Sequence, residues 1–204
     1  MKNLCAAVAK GRPREFDAEV ALAAALRVFW RRGYEGASMA ELTAEMGLTK
    51  PSLYGAFGNK ESLFRKALDL YEREKLGYMR EALNAETSRG VAERLLYGAL
   101  DMQSSTCGDP KGCLSVISSV ACGTEAESVR EEVLARSAEA KQAMIDRFAR
   151  ARDEGDLPAS IDPEALARYL SAVTQGLAVQ ASGGATCPEL RGIVETTLAT
   201  WPGR

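Results

Sequence analysis

The sequence predicts an all-α protein, and three observations carry that prediction. Apolar residues recur at helical spacing along the 204 residues, and no run of strand-like alternation stands out. Helix-start residues recur ahead of apolar runs, and glycine or proline follows where those runs stop. The composition, 46% hydrophobic and 26% charged, is that of an ordinary globular chain with ample length to bury a core.

The elements follow in order. Residues 1–10 read as a disordered N-terminus, and Gly11-Arg12-Pro13-Arg14 as a short basic arm. Asp17 caps a first helix that runs to about Arg32, with Val20, Ala24, Val28 and the Phe29–Trp30 pair on its apolar face. Gly33 ends it, and Gly36 permits the next turn. Ser38 then precedes a helical run with Glu41 three residues on, the spacing of a capping box. Leu42 and Met46 face one way, Gly47 closes the helix and Leu48 fills the corner. Thr49 caps the following helix, with Pro51 in its first turn, where no amide donor is missed. Leu53 turns inward, leaving Lys50, Ser52 and Tyr54 outward. Asn59 caps a long helix from Lys60 to about Leu83, striped by Leu63, Phe64, Ala67, Leu70 and Tyr71.

Further helices are expected over 91–105, within 112–122, from a cap at Thr124 to about Asp153, from Asp162-Pro163 to Gly183-Gly184, and from Pro188 to about Trp201. The last two carry wide stripes: Leu166, Leu170, Val173 and Leu177, then Leu190, Val194 and Leu198. Each stripe could be core for one subunit or a face between two.

Two short helices joined by a glycine turn, with polar groups at the start of the second, form a helix-turn-helix whose second helix can enter a major groove. The sequence of residues 11–71 resembles the DNA-binding domain of TetR-family transcriptional regulators. The matching stretches are G-R-P-R-E-F-D from Gly11, F-W-R-R-G-Y-E-G-A-S from Phe29, G-L-T-K-P-S-L-Y from Gly47 and F-G-N-K-E-S-L-F from Phe57. Thr43 stands where such helices usually place alanine. The resemblance implies a three-helix DNA-binding domain over 11–70 and a helical effector-binding and dimerisation domain over 71–204. It also implies a homodimer paired through the last two helices, reading a palindromic operator in double-stranded DNA as a repressor that a small molecule releases. Ser38, Thr49, Lys50, Pro51, Ser52, Tyr54 and Lys60 map onto positions that touch DNA in the family. Arg12 and Arg14 either reach a minor groove or form a solvated tail.

Charge is consistent with this division. Residues 1–66 hold 11 Lys/Arg against 7 Asp/Glu, while the other 138 residues hold 15 against 21. A basic N-terminal third attracts phosphate; the acidic remainder does not. With no histidine and no CxxC pair among five cysteines, the usual zinc sites and the Ser–His and Cys–His catalytic pairs are excluded, and no metal or cofactor is expected. No enzyme is expected. The N-terminal apolar run is too short for a secretory segment or a membrane span, so the expected location is the cytoplasm.

In the body, Met102, Cys113, Val116, Ile117, Val120, Met144, Phe148, Tyr169 and Val173 are apolar and nearly free of charge. They suit a cavity for a small apolar or aromatic effector, or else fill a solid core. The segment G-C-L-S-V-I-S-S-V-A-C from Gly112 resembles the TetR subgroup that includes the N-ethylmaleimide-responsive repressor. That likeness makes Cys113 and Cys122 candidates for redox or electrophile sensing, with Cys107 nearby. Buried cysteine also serves simply as a small hydrophobe. A helical binding protein without specific DNA function is the remaining alternative.

Overall fold

The computed structural model describes residues 16–104, 109–120, 123 and 126–203, and among these it contains ten helices and no strand. Arg12, Arg14, Cys107, Cys122 and the cap expected at Thr124 lie outside the described residues.

The N-terminal unit comprises α1 (Ala18–Gly36), α2 (Met39–Met46), α3 (Lys50–Phe57) and the first turns of α4 (Lys60–Lys75). Its starts are fixed by side chains: Asp17 accepts from the Glu19 and Val20 amides, Ser38 from Glu41, Thr49 from Ser52 and Asn59 from Ser62. Gly47, at φ 64°, supplies the left-handed residue that turns α2 into α3. Phe29, Trp30, Leu42, Leu53, Leu63, Phe64 and Tyr71 are fully buried together. Val20, expected on the apolar face, is 65% exposed, because Ala21, Ala24 and Ala25 take the inward positions. The capping box at Ser38 is half formed, since the Glu41 carboxylate accepts from Arg32 Nε at 3.3 Å instead. Thr43 fits its half-buried crossing by donating its hydroxyl to Met39 and Ala40 carbonyls.

The long helix expected from Lys60 to Leu83 is two helices. α4 ends at Lys75; Leu76 leaves helical geometry at φ −105°, ψ 5°, and α5 (Gly77–Ala82) sets off anew. The break lets the Tyr78 ring lie flat on Gly98, where even a Cβ would meet the ring at 2.2 Å. The body continues with α6 (Ser88–Ser104), α7 (Leu114–Val120), α8 (Glu127–Asp153), α9 (Pro163–Ser182) and α10 (Cys187–Ala199). α6 begins earlier than the sequence suggested, since Thr87 accepts from the Gly90 amide and Asp156 from the Ser88 amide. Thr186 and Glu189 close a full capping box on α10. The stripes on α9 and α10 meet Leu96, Leu100, Phe148 and Trp201 in a second core.

Head and body are joined by packing. Leu114 of α7 and Val129 and Val133 of α8 share the core of Trp30 and Tyr71. Trp30 Nε1 donates to the Gly112 carbonyl at 3.3 Å, and Gln103 holds the same glycine at both ends, accepting from its amide at 2.7 Å and donating to its carbonyl at 3.1 Å. Lys75 pairs with Asp109 at 2.5 Å. Arg136 of α8 straps α4 through Asp69 and Glu72, while Arg65 of α4 returns to Glu132.

Candidate nucleic-acid interface and internal cavity

The recognition face follows from the amphipathic pattern of α3. Leu53 and Phe57 are buried, which forces Lys50, Pro51, Ser52, Tyr54, Gly55 and Ala56 outward. Tyr54 is 49% exposed and belongs to no buried cluster, so its ring does not close the head. The Thr49 and Ser52 hydroxyls lie 2.9 Å apart and share a hydrogen bond. Ser38 and Thr49, both exposed at helix N-termini, place hydroxyls beside amides that suit an anionic oxygen. Gly55 and Ala56 leave the second turn of α3 without reach, so any base contact from this helix comes from its first turn and from Tyr54.

Lys60 is positioned by a group that sequence reasoning missed. Its ammonium sits 4.6 Å over the Tyr34 ring, and that ring is edge-on to Phe64 at 5.3 Å. Burial lowers the Lys60 pKa from its ordinary value, and Glu35 opposes the shift. The motif F-W-R-R-G-Y contained the signal, since Tyr34 is the one aromatic there not spent inside the core. Lys60→Ala should weaken binding to every duplex alike and reduce the slope of log K against log salt by about one unit. A change in which sequence is preferred, with the slope intact, would contradict a phosphate role.

A cavity of about 410 Å³ opens into the body between α4, α5, α6, α7, α8 and α9. Met102, Cys113, Val116 and Met144 line it. The other five expected residues do not. Ile117 approaches Gly33 of α1, and Val120 is 80% exposed at the end of α7. Phe148 is fully buried against Trp201, with centroids 5.7 Å apart, Tyr169 is 46% exposed, and Val173 packs into the second core. Sequence reasoning missed Tyr78, Met79, Gln103, Ser171 and Thr174 in the wall. A hydroxyl pair three residues apart on α9, otherwise striped with leucine, was the available signal. Nor is the lining free of charge: Glu72 and Arg136 belong to it, tied to each other at 2.8 Å. Burial alone would lower the Arg136 pKa, but hydrogen bonds to Glu132, Asp69 and Glu72 outweigh it and leave it raised.

Cys113 stands just ahead of α7, with its thiol 3.4 Å from the Tyr71 hydroxyl, which donates to it. Burial, and then the neighbouring thiol, push the Tyr71 phenol well above its usual range, so Tyr71 remains a donor. Lys111, two residues before Cys113 in the chain, donates to the Gln103 carbonyl. Among the described residues no group could hold a metal ion, and no helix is long and apolar enough to cross a membrane.

A head with an exposed recognition helix, packed onto a hollow helical body, defines a helix-turn-helix transcriptional regulator. The family model described as "Bacterial regulatory proteins, tetR family" matches residues 21–67, and "Tetracyclin repressor-like, C-terminal domain" matches 93–183. The chain is 30% identical over 199 residues to the HTH-type transcriptional repressor ComR of Escherichia coli (strain K12), covering 97% of this chain and 95% of ComR. It is 30% identical over 193 residues to the uncharacterized HTH-type regulator YezE of Bacillus subtilis (strain 168), covering 93% and 98%. A cysteine mutant of the TetR-family regulator CifR, solved with a 26-base-pair operator duplex, superposes with a TM-score of 0.87 at 40% identity, over 94% of this chain and all of that one. The chain belongs to the TetR family of bacterial regulatory proteins.

Proposed function

We propose that the protein is a cytoplasmic, homodimeric repressor that binds a palindromic operator through residues 11–70 and is released when a small molecule enters the body, 71–204. The observation that carries this reading is the outward face of α3, where Lys50, Pro51, Ser52 and Tyr54 stand clear of the core. Ser38, Thr49 and Lys60 would hold the phosphates around it, and a second head one helical turn away would complete the contact. The outer faces of α9 and α10 are the pairing surface, where Val179 is 58% exposed and Tyr169 lies on the same helix. Effector binding favours a body conformation that holds the two heads at the wrong separation.

Selection of bound duplexes from a random pool tests the first half, with recovery of a palindrome expected. Enrichment of no sequence at moderate salt would overturn it. For the second half, effector-saturated dimers that keep full operator affinity would refute release.

A second reading is favoured by one observation, the place of Cys113 in the cavity wall beside Tyr71. An electrophile entering the cavity would meet that thiol, and alkylation would disturb the contact with α4. Mass spectrometry after quinone or peroxide treatment is expected to find Cys113 modified and operator binding reduced. An unmodified Cys113 would dispose of this route.

A further inference from the structure

We infer that the cavity takes a neutral aromatic molecule bearing a hydroxyl group, a phenol or an aryl alcohol. This rests on the reading of the cavity as the effector site and adds the chemical class of the effector.

The inference comes from where the wall's protons already go. Ser119 donates to the Val116 carbonyl, Ser137 to Val133 and Ser171 to Ala167, at 2.8–2.9 Å. Thr174 donates to the Leu170 and Ser171 carbonyls. All four residues line the cavity, and each hydroxyl therefore offers it oxygen lone pairs rather than a proton. Gln103, the wall's buried amide, has its oxygen and one N–H committed to Gly112. These four hydroxyls make much of the inner polar lining an acceptor surface, which an occupant meets best with a donor of its own.

The Ser115 and Tyr78 hydroxyls are the exceptions, for neither makes a hydrogen bond to a described residue. Burial, then Cys113, push the Tyr78 phenol up, so it stays protonated and can donate. A hydroxyl both donates to serine and threonine oxygens and accepts from tyrosine; an ammonium cannot accept, and an ether cannot donate.

Charge argues the same way. Arg136 is saturated by three carboxylates, and Glu72 is committed to it, so neither is free to neutralise a buried ion. Arg80 and Lys141 make no ion pair among the described residues, but Arg80 is exposed and Lys141 half-exposed. They stand at the mouth, which the exposed Glu139, Ala140 and Gln175 mark, and water screens them there. The aromatic part follows from Met79, Met102 and Met144, whose thioethers pack well against ring edges, and from the Tyr78 ring. At about 410 Å³ the space is near the lower end for ligand pockets, so the occupant is small.

The test is calorimetric titration of the full-length protein with four probes on one naphthalene ring: 1-naphthol, 1-methoxynaphthalene, 1-naphthylmethylamine and 1-naphthoate. Naphthol is expected to bind tightest, by about 3- to 10-fold over the methyl ether, the worth of one neutral hydrogen bond. In a variant that removes all four acceptors, Ser119→Ala/Ser137→Ala/Ser171→Ala/Thr174→Val, that ratio should fall to about one while the ether binds as before. Unchanged ether binding separates lost acceptors from a damaged cavity. Equal binding of naphthol and its ether to the native protein would overturn the inference and leave the effector site standing. Tightest binding of the naphthoate or the amine would also overturn it. If none binds to protein that still retains operator DNA, both the inference and the effector role of the cavity fail, with the DNA function intact.

Discussion

Trp30→Ala should lower the stability of the protein by about 3–5 kcal/mol, the range for truncating a large buried aromatic. The indole is 1% exposed, lies edge-on to Tyr71 with centroids 4.8 Å apart, and donates to Gly112. Its removal opens a hole where head, α4 and the 109–113 segment converge. For a chain of this size that loss corresponds to a fall in Tm of roughly 6–20 °C. Urea denaturation followed by circular dichroism measures it, because the variant also removes one of two tryptophans. Trp30→Phe separates packing from hydrogen bonding. It keeps most of the ring but loses the N–H, and Gly112 still receives Gln103, so about 0.5–1.5 kcal/mol is expected. A loss under 1 kcal/mol for the alanine variant would mean that head and body are not packed together as described.

Gly33→Ala should cost about 1–3 kcal/mol through the backbone alone. Gly33 interrupts α1 at φ 70°, ψ 177°, a region that is essentially glycine's. A side chain meets a second obstacle, since its Cβ would stand 3.2 Å from Cγ2 of Ile117 on α7. The two contributions separate in a cycle with Ile117→Ala, which removes the clash and leaves the strain. Most of the Gly33→Ala loss should therefore persist in the Ile117→Ala background. Full recovery there would show that contact, not conformation, sets the cost. Because Ile117 belongs to the body, operator affinity should be recorded with the melts.

The head was legible in the sequence because its determinants are local. Ser38, Thr49 and Asn59 announce their helices within three residues, and Gly47 closes α2 by a conformation only its own backbone needs. The body was less so. Gly77 reads as a lone glycine in a sound helical pattern; the break beside it is fixed by Tyr78 finding Gly98 across the fold. Gly98 in turn reads as a weakness of α6 rather than a seat for a ring. Apolar side chains made Phe148 and Met144 alike candidates for the cavity wall, but only contact with Trp201 decides that the first fills core, while the second faces space. Val20 shows the reverse error, since helical periodicity is satisfied equally by the alanine face beside it. In the candidate DNA site, the outward residues of α3 could be assigned from periodicity, whereas the support of Lys60 by Tyr34 required the chain to fold back from α1 to α4.

The strap between α4 and α8 bears on how a salt titration of operator binding can be interpreted. Arg136 holds Asp69, Glu72 and Glu132 at 2.5–2.8 Å with its side chain only 26% exposed, and such partly buried pairs are screened far less than charges in open water. Added salt therefore strips counterion-dependent contacts at the phosphates while the head keeps its setting on the body. The steepness of that titration then counts phosphates neutralised, and the protein acts as a rigid gauge against which the number of its own Lys and Arg contacts can be read.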